Sequence, residues 1–348
     1  DPEHRGVERG IGHGMGDIRQ GECGMKAGAT RVLRMFGPFL GLAFVFGFFV
    51  IVAPSAFHSP YNIKTIITQT VITGIGALGV TLVIISGGID LSVGSVIALS
   101  TVVVARLLNA GGETVGVALT FAAAGGAVAV AALCGLLNGV ISSTLRIVPF
   151  IVTLGMMQIA RGVAKWLAGE QIVLSPPTWL NSFMQVDPTP GWLVVAPGVW
   201  LLIGLCVLLA AVLNYTVFGR YVFGLGSNES AARLCGVRVK VYRTIIYAVC
   251  GAFVGIAGIM QFANLTVGDP TAATGMELDI IAAVVIGGGS LAGGEGSAVG
   301  SLVGALMMAM LRNGCNLVGI PNYVQNILIG VIIIGAVALD RYKQRISG

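Results

Sequence analysis

Ten apolar stretches govern what this chain can become. They fall near residues 36–53, 65–86, 92–109, 115–139, 149–168, 193–215, 244–263, 277–290, 298–313 and 323–340. Crossing about 30 Å of hydrocarbon takes about 20 apolar residues. Inside it every backbone N–H and C=O must find a partner within the chain, so only helices and closed barrels can span. The stretches are continuous rather than alternating and sit in a chain with 52 glycines, which fits helices packed through small residues rather than barrel strands. Charged residues make up only 10% of the chain, against about 25% in a soluble domain. The expectation is an all-α polytopic membrane protein with about ten transmembrane helices. They form one domain at 36–340, between a cytoplasmic, partly disordered tail at 1–35 and a short cytoplasmic tail at 341–348. The stretch at 277–290 is short and interrupted by glycine, so its crossing is the least secure.

Charge sets the orientation. Lys and Arg concentrate in short loops on the cytoplasmic side of membrane proteins. With the N-terminus inside, ten crossings return both ends to the cytoplasm, which then holds 15 of the 20 Lys and Arg residues. Arg146 and the loop Arg220, Arg233, Arg238, Lys240 and Arg243 are among them. That loop, 218–243, is the longest polar break in the body of the chain. Ser227 or Asn228 can cap a helix there, Glu229 sits in its first turn, and Gly236 can end it. Glu229 and Arg233 stand i,i+4 with the acid first, the favourable order. The pattern predicts a helix of about eight residues on the cytoplasmic face, either a solvated loop or a docking surface for a cytoplasmic partner.

On the other side, the segment 170–192 carries four prolines and two tryptophans. It reads as an irregular cap at the outer interface, a connector or a landing surface.

Several chemistries lack the residues they need. The basic residues are spread over loop ends, which speaks against a nucleic-acid partner. His4, His13 and His58 lie outside the apolar stretches, and the six cysteines show no CxxC pairing, so neither a metal centre nor a disulfide framework is expected. No GxxxxGK[ST] loop is present to cradle phosphates, and HExxH and GxSxG are absent. The chain is read as a non-enzyme that binds no cofactor itself.

Two segments could still carry chemistry at membrane depth. In 86–95, SGGIDLSVGS, Gly87 and Gly88 break a helix beside Asp90, with Ser92 and Gly94 following. Ionisable residues at membrane depth are costly and usually functional, and a broken helix there lets polar backbone face a cavity. Alternatively, Asp90 or Ser92 simply caps the next span at the cytoplasmic interface. In 275–297, Glu277 and Asp279 open a helix that ends in a glycine-rich loop. Glycine pairs such as Gly251/Gly255 and Gly300/Gly304 match close helix packing. A faint repeat joins the stretches ending at Arg106 and Arg312, with VGS at the same distance before each arginine.

Three motifs, GGIDLSVGSVIALS, GRYVFGLGSNESAARLCGVRV and PTAATGMELDIIAAVVIGGGSLAGGEGSAVGSLVGAL, occur in this order. Together they resemble the membrane permease subunits of bacterial ABC importers of the ribose/xylose/galactose type, from about residue 36 to 340. The resemblance implies alternating access and several partners: a second permease subunit, identical or a sister, a periplasmic sugar-binding protein, and a separate cytoplasmic ATPase that supplies ATP and Mg. It also implies that Asn228 to Gly236 is the coupling helix that meets the ATPase, with Asn228, Glu229, Ala231, Ala232, Arg233 and Gly236 as its contact positions. Gly87, Gly88, Asp90, Ser92, Gly94, Glu277 and Asp279 would mark the translocation pathway or its helix breaks. Cys235 departs from the small polar residue expected in that helix, and the long tail at 1–35 lies outside the resemblance. The alternative is an ion- or proton-coupled secondary transporter, with Asp90 and Asp279 as coupling carboxylates.

Overall fold

The computed structural model describes residues 37–112, 115–189 and 191–347; the expected tail at 1–35 lies outside them. The α-helices in order are α1 (37–52), α2 (Pro60–Ile85), α3 (Val93–Asn109), α4 (Val117–Leu145), α5 (Pro149–Ala168), α6 (Pro197–Tyr215), α7 (Val217–Ser227), α8 (Glu229–Leu234), α9 (Val239–Leu265), α10 (Met276–Ile286), α11 (Ala298–Val318) and α12 (Asn322–Ser347). Sheet among the described residues is limited to two short strands, β1 (Val173–Leu174) and β2 (Val267–Gly268), paired antiparallel. The fold is all-α, as the apolar stretches required.

Local chemistry explains where the helices start and stop. Proline opens α2, α5 and α6, at the position where a missing N–H costs nothing. Ser59 caps α2 by accepting from the Asn62 N–H, and Ser297 caps α11 by accepting from the Gly300 N–H. Helix α5 ends at Gly169 and α11 at Gly319, both in the left-handed conformation.

Among the described residues five helices are long and apolar enough to cross a membrane: α2, α4, α6 with the turn before it, α9 and α11. Shorter apolar helices are α1, α3 and the first half of α12. The expected eighth span is the 11-residue α10, roughly 16 Å long at about 1.5 Å per residue, too short to cross alone. Helix α12 continues as far as Ser347, so the segment expected as a C-terminal tail is helical backbone up to that point.

Helices α2 and α9 pack against each other at the centre, α11 flanks α2, and α3 and α4 flank α9. Burial follows: 83% of the apolar stretch of α2 is buried, against 22% of that of α4. The outer helices turn Phe121, Leu133, Ile159, Val207 and Ile334 outward, as lipid-facing helices do. The close approach of α4 and α9 depends on glycine. A Cβ on Gly251 would collide with the Ala131 carbonyl, and one on Gly255 would lie 2.8 Å from the Val128 Cα. Gly300 and Gly304 likewise face the Gly287 and Ala283 carbonyls of the α10 end. The glycine pairs legible in the sequence are therefore packing contacts.

Candidate functional site

Two ends of the bundle carry polar machinery. At one end, α7 and α8 follow α6. Asn228 accepts from the Ala231 N–H at 2.9 Å and so caps α8. The helix runs six residues rather than about eight, because Cys235 leaves the helical conformation and Gly236 turns left-handed at φ 86°. Glu229 Oε1 accepts from Arg233 Nη2 at 2.8 Å, and Glu229 Oε2 from Arg243 Nη2 at 2.6 Å. The first bond lies within α8, and the second ties α8 to the start of α9. Partial burial alone would raise the Glu229 carboxyl, but pairing with Arg243 and then Arg233 outweighs it and holds the group below its ordinary 4.5.

A lowered folded value means the brace is present above the unfolded carboxyl's range and is lost as pH falls through the folded value. The α8–α9 link is therefore expected to hold from neutral pH down to 4.5 and to weaken only below it. The distance between spin labels on α8 and α9, followed against pH, checks this.

Of the other α8 positions, Ala231 and Arg233 face outward and Ala232 packs partly inward. Leu234, which the sequence reading did not single out, is 90% exposed. The available signal was a lone large apolar residue within the short predicted helix 228–236. Beside α8 lies a cleft of about 820 Å³ whose wall includes Gly87, Arg146, Arg238, Lys240 and Arg243. The basic loop residues are thus gathered at one end of the bundle.

Helix α7 was also missed. Thr216 caps it by accepting from the Gly219 N–H, and Phe218, Val222 and Leu225 recur at helical spacing. It delivers Gly226 into a backbone junction: a Cβ there would overlap the Ile85 carbonyl at the end of α2 and lie 2.5 Å from the Gly294 N. The Gly294 N–H donates to that same Ile85 carbonyl at 2.8 Å. The ends of α2 and α7 and the 287–297 loop therefore meet backbone to backbone.

Between α2 and α3 the chain leaves helix over 86–92. Gly87 adopts φ 80°, and Asp90, 3% exposed, accepts from the Ser92 N–H at 2.9 Å and its hydroxyl at 2.6 Å. Ser92 Oγ accepts from Asn138 of α4, and the Ile89 carbonyl from Tyr247 of α9 and Thr153 of α5. Asp90 thus closes a turn that leads into α3, and the break is stitched to three neighbouring helices. Gly94 stands apart from Asp90's bonds. Its Cα faces α10, where a Cβ would strike the Glu277 carboxylate. Asp279 is elsewhere again, 6% exposed and paired with Arg312 of α11, with Nη2–Oδ2 at 2.6 Å and Nε–Oδ2 at 2.8 Å. Arg161 of α5 donates to the Pro270 and Ala272 carbonyls at 2.9 and 2.8 Å, holding the segment that precedes α10. The roles of Arg161 and Arg312 were not legible: Arg161 stood alone inside the apolar stretch 149–168, and Arg312 closed the faint repeat near the end of 298–313.

At the end of the bundle opposite α8, the Lys64–Asp187 pair at 2.8 Å ties α2 to the 170–192 cap. Next to it lies a cavity of about 470 Å³ lined by α2, α9, α10 and α11. Among the described residues no group of His, Cys, Asp and Glu could hold a metal ion.

Comparison with known proteins agrees with this architecture. Residues 62–337 match the family described as branched-chain amino acid transport system / permease component. The ribose import permease protein RbsC of Escherichia coli (strain K12) is 42% identical over 297 residues, 83% of this chain and 88% of that protein. RbsC of Bacillus subtilis (strain 168) is 36% identical over 321 residues, 90% and 94%, and the fructose import permease protein FrcC of Rhizobium meliloti is 34% identical over 303 residues, 86% and 83%. These are transport subunits by name rather than enzymes. With matches that span the bundle from α2 to α12, the chain belongs to this family of multi-pass membrane permease components.

Proposed function

We propose that this chain is the permease subunit of an ATP-binding-cassette importer that moves a monosaccharide, a pentose or hexose, into the cytoplasm by alternating access. The observation that carries the reading is α8: a capped, ion-paired helix presenting Ala231, Arg233 and Leu234 outward at the basic end of the bundle. By the positive-inside rule that end, with both termini, is cytoplasmic. A separate ATPase, which binds ATP and Mg, docks there. A sugar-binding protein delivers solute to the opposite end, and a second permease subunit completes the pathway. The names of the relatives support a sugar as the cargo.

A docked partner can bias the permease only through contacts that differ between its two states. Motion of α8 would reach α9 through Arg243 and α2 through the Gly226 junction at the end of the preceding helix. The ion-coupled alternative is less suited to these residues, because Asp279 is occupied by Arg312 and Asp90 by Ser92.

Reconstitution in vesicles tests the reading. ATP-driven sugar uptake is expected only with the ATPase and binding protein present; uptake by the chain alone under an ion gradient overturns it. Cys235 offers a second measurement. It is exposed beside α8, so in a Cys23→Ser background its maleimide labelling is expected to slow at least about tenfold when the ATPase docks. Unchanged labelling with a bound ATPase would place the contact elsewhere.

A further inference from the structure

We propose that the basic cleft beside α8 holds the headgroup of an anionic phospholipid. The permease reading supplies only the side of the membrane; the site itself follows from the charge of the cleft, its open donors and its apolar rim.

Five side chains on the wall are basic, Arg146, Arg233, Arg238, Lys240 and Arg243, against the single carboxylate of Glu229. That carboxylate is already shared by Arg233 and Arg243. The side chains of Arg146, Arg238 and Lys240 have no hydrogen bond or ion pair among the described residues. The remaining polar side chains there, Ser142 and Ser143, donate to the Gly139 and Val140 carbonyls of α4. The donors left open on this wall therefore belong to cationic groups, and their natural acceptor is an anion. Guanidinium groups can clasp a phosphate through paired N–H bonds, and an ammonium adds a point charge.

Position narrows the anion to a lipid. The wall is built where spans end: α4 stops at Leu145, α5 begins at Pro149 and α9 at Val239. Basic pockets between helices on the cytoplasmic side are the kind of site that takes anionic headgroups. The rim is apolar and open. Leu145, Val148 and Ile151 are exposed around the α4–α5 turn, as are Val241 and Ile245 at the start of α9. A phosphodiester among the basic groups leaves its acyl chains to lie along these residues, a contact that a soluble anion cannot make. At about 820 Å³ the cleft has room for a phosphate with its glycerol. A second copy presenting the same face would bring like charge against like.

The site adjoins the brace of α8, since Arg233 and Arg243 belong both to the cleft and to the two ion pairs of Glu229. A phosphate there offsets the repulsion among five cations gathered around one carboxylate.

Native mass spectrometry of the assembled permease–ATPase complex, titrated with phosphatidylglycerol and with phosphatidylcholine of the same chains, tests this. The first phosphatidylglycerol per permease is expected to bind at least about tenfold more tightly than phosphatidylcholine. In Arg146→Gln/Arg238→Gln/Lys240→Gln that preference is expected to fall to within about twofold. These changes remove no bond among the described residues, and an unaltered elution profile and thermal unfolding check that the variant is folded. Arg220→Gln, an exposed basic residue of the same loop that is not on the wall, should keep the full preference. An equal loss in Arg220→Gln, or no loss in the triple variant, overturns the site. Inorganic phosphate that displaces the lipid better than chloride at equal ionic strength overturns the lipid as its occupant. A preference seen only after the ATPase is removed does so too, because the ATPase would then fill the cleft. Failure of the permease reading is distinct: the unmodified complex would then show no ATP-driven sugar uptake, whatever lipid it binds.

Discussion

Replacing Arg243 by glutamine is expected to cut ATP-driven uptake at least tenfold while the chain remains inserted and folded. Arg243 makes the single ion pair between α8 and α9 among the described residues, at 2.6 Å. A six-residue helix has almost no stability of its own, so the position of α8 depends on what it is tied to. The Arg243 side chain is 22% exposed against 61% for Arg233. The Arg243 bond is accordingly the less screened of the two, and its loss releases the helix from the span it would move. Arg233→Gln should leave α8 docked to α9 and reduce uptake only severalfold, since exposed pairs are worth at most about 1 kcal/mol. Arg233→Glu, which also sets two acids at i,i+4, should weaken ATPase association outright. Co-purification of the ATPase and ATP-driven uptake, measured for all three variants, rank these effects. Equal uptake in Arg243→Gln and wild type would remove the Arg243 link from the coupling route, and full uptake with full ATPase association in Arg233→Glu would remove α8 as the docking site.

A matched pair of glycines in α7 separates packing from composition. Gly226→Ala is expected to destabilise the protein by about 3 kcal/mol or more, beyond the usual cost of overpacking. Its new methyl group would meet backbone of α2 and of the 287–297 loop, and backbone cannot rotate aside as a side chain can. Gly224→Ala, two residues earlier on the same helix, has nothing within 4 Å of the added Cβ and should be neutral or slightly stabilising, because alanine is the better helix former. Yield and thermal unfolding of the detergent-solubilised proteins read the difference. Similar behaviour of the two variants would mean that the three-way junction does not hold the molecule together.

How much of this was readable depended on whether a property is local. Caps, breaks and pairs within one turn were: Asn228 as cap, the Glu229–Arg233 pair and the interruption at Gly87 and Gly88 follow from rules that span three or four residues. Helix α7 was passed over because charge dominates 218–243, although Phe218, Val222 and Leu225 keep helical spacing. Asp279 drew attention as a carboxylate at membrane depth, but its partner, Arg312, lies 33 positions away. Glu229 was read as bracing α8 internally, and its shorter bond turned out to reach Arg243 on the next helix.

By itself the sequence determined the class of fold and the number of apolar stretches, and its charge bias supports the orientation proposed for the bundle. Hydrocarbon thickness, backbone satisfaction and charge bias act on every residue regardless of its distant neighbours. Tertiary structure alone decided which polar groups meet. The side chains that line the outer cavity come from helices separated by more than a hundred residues, and the Gly226 junction joins three segments that no local rule connects. Apolar stretches of similar composition can pack in many orders, and only the positions of small residues and buried ion pairs select one of them.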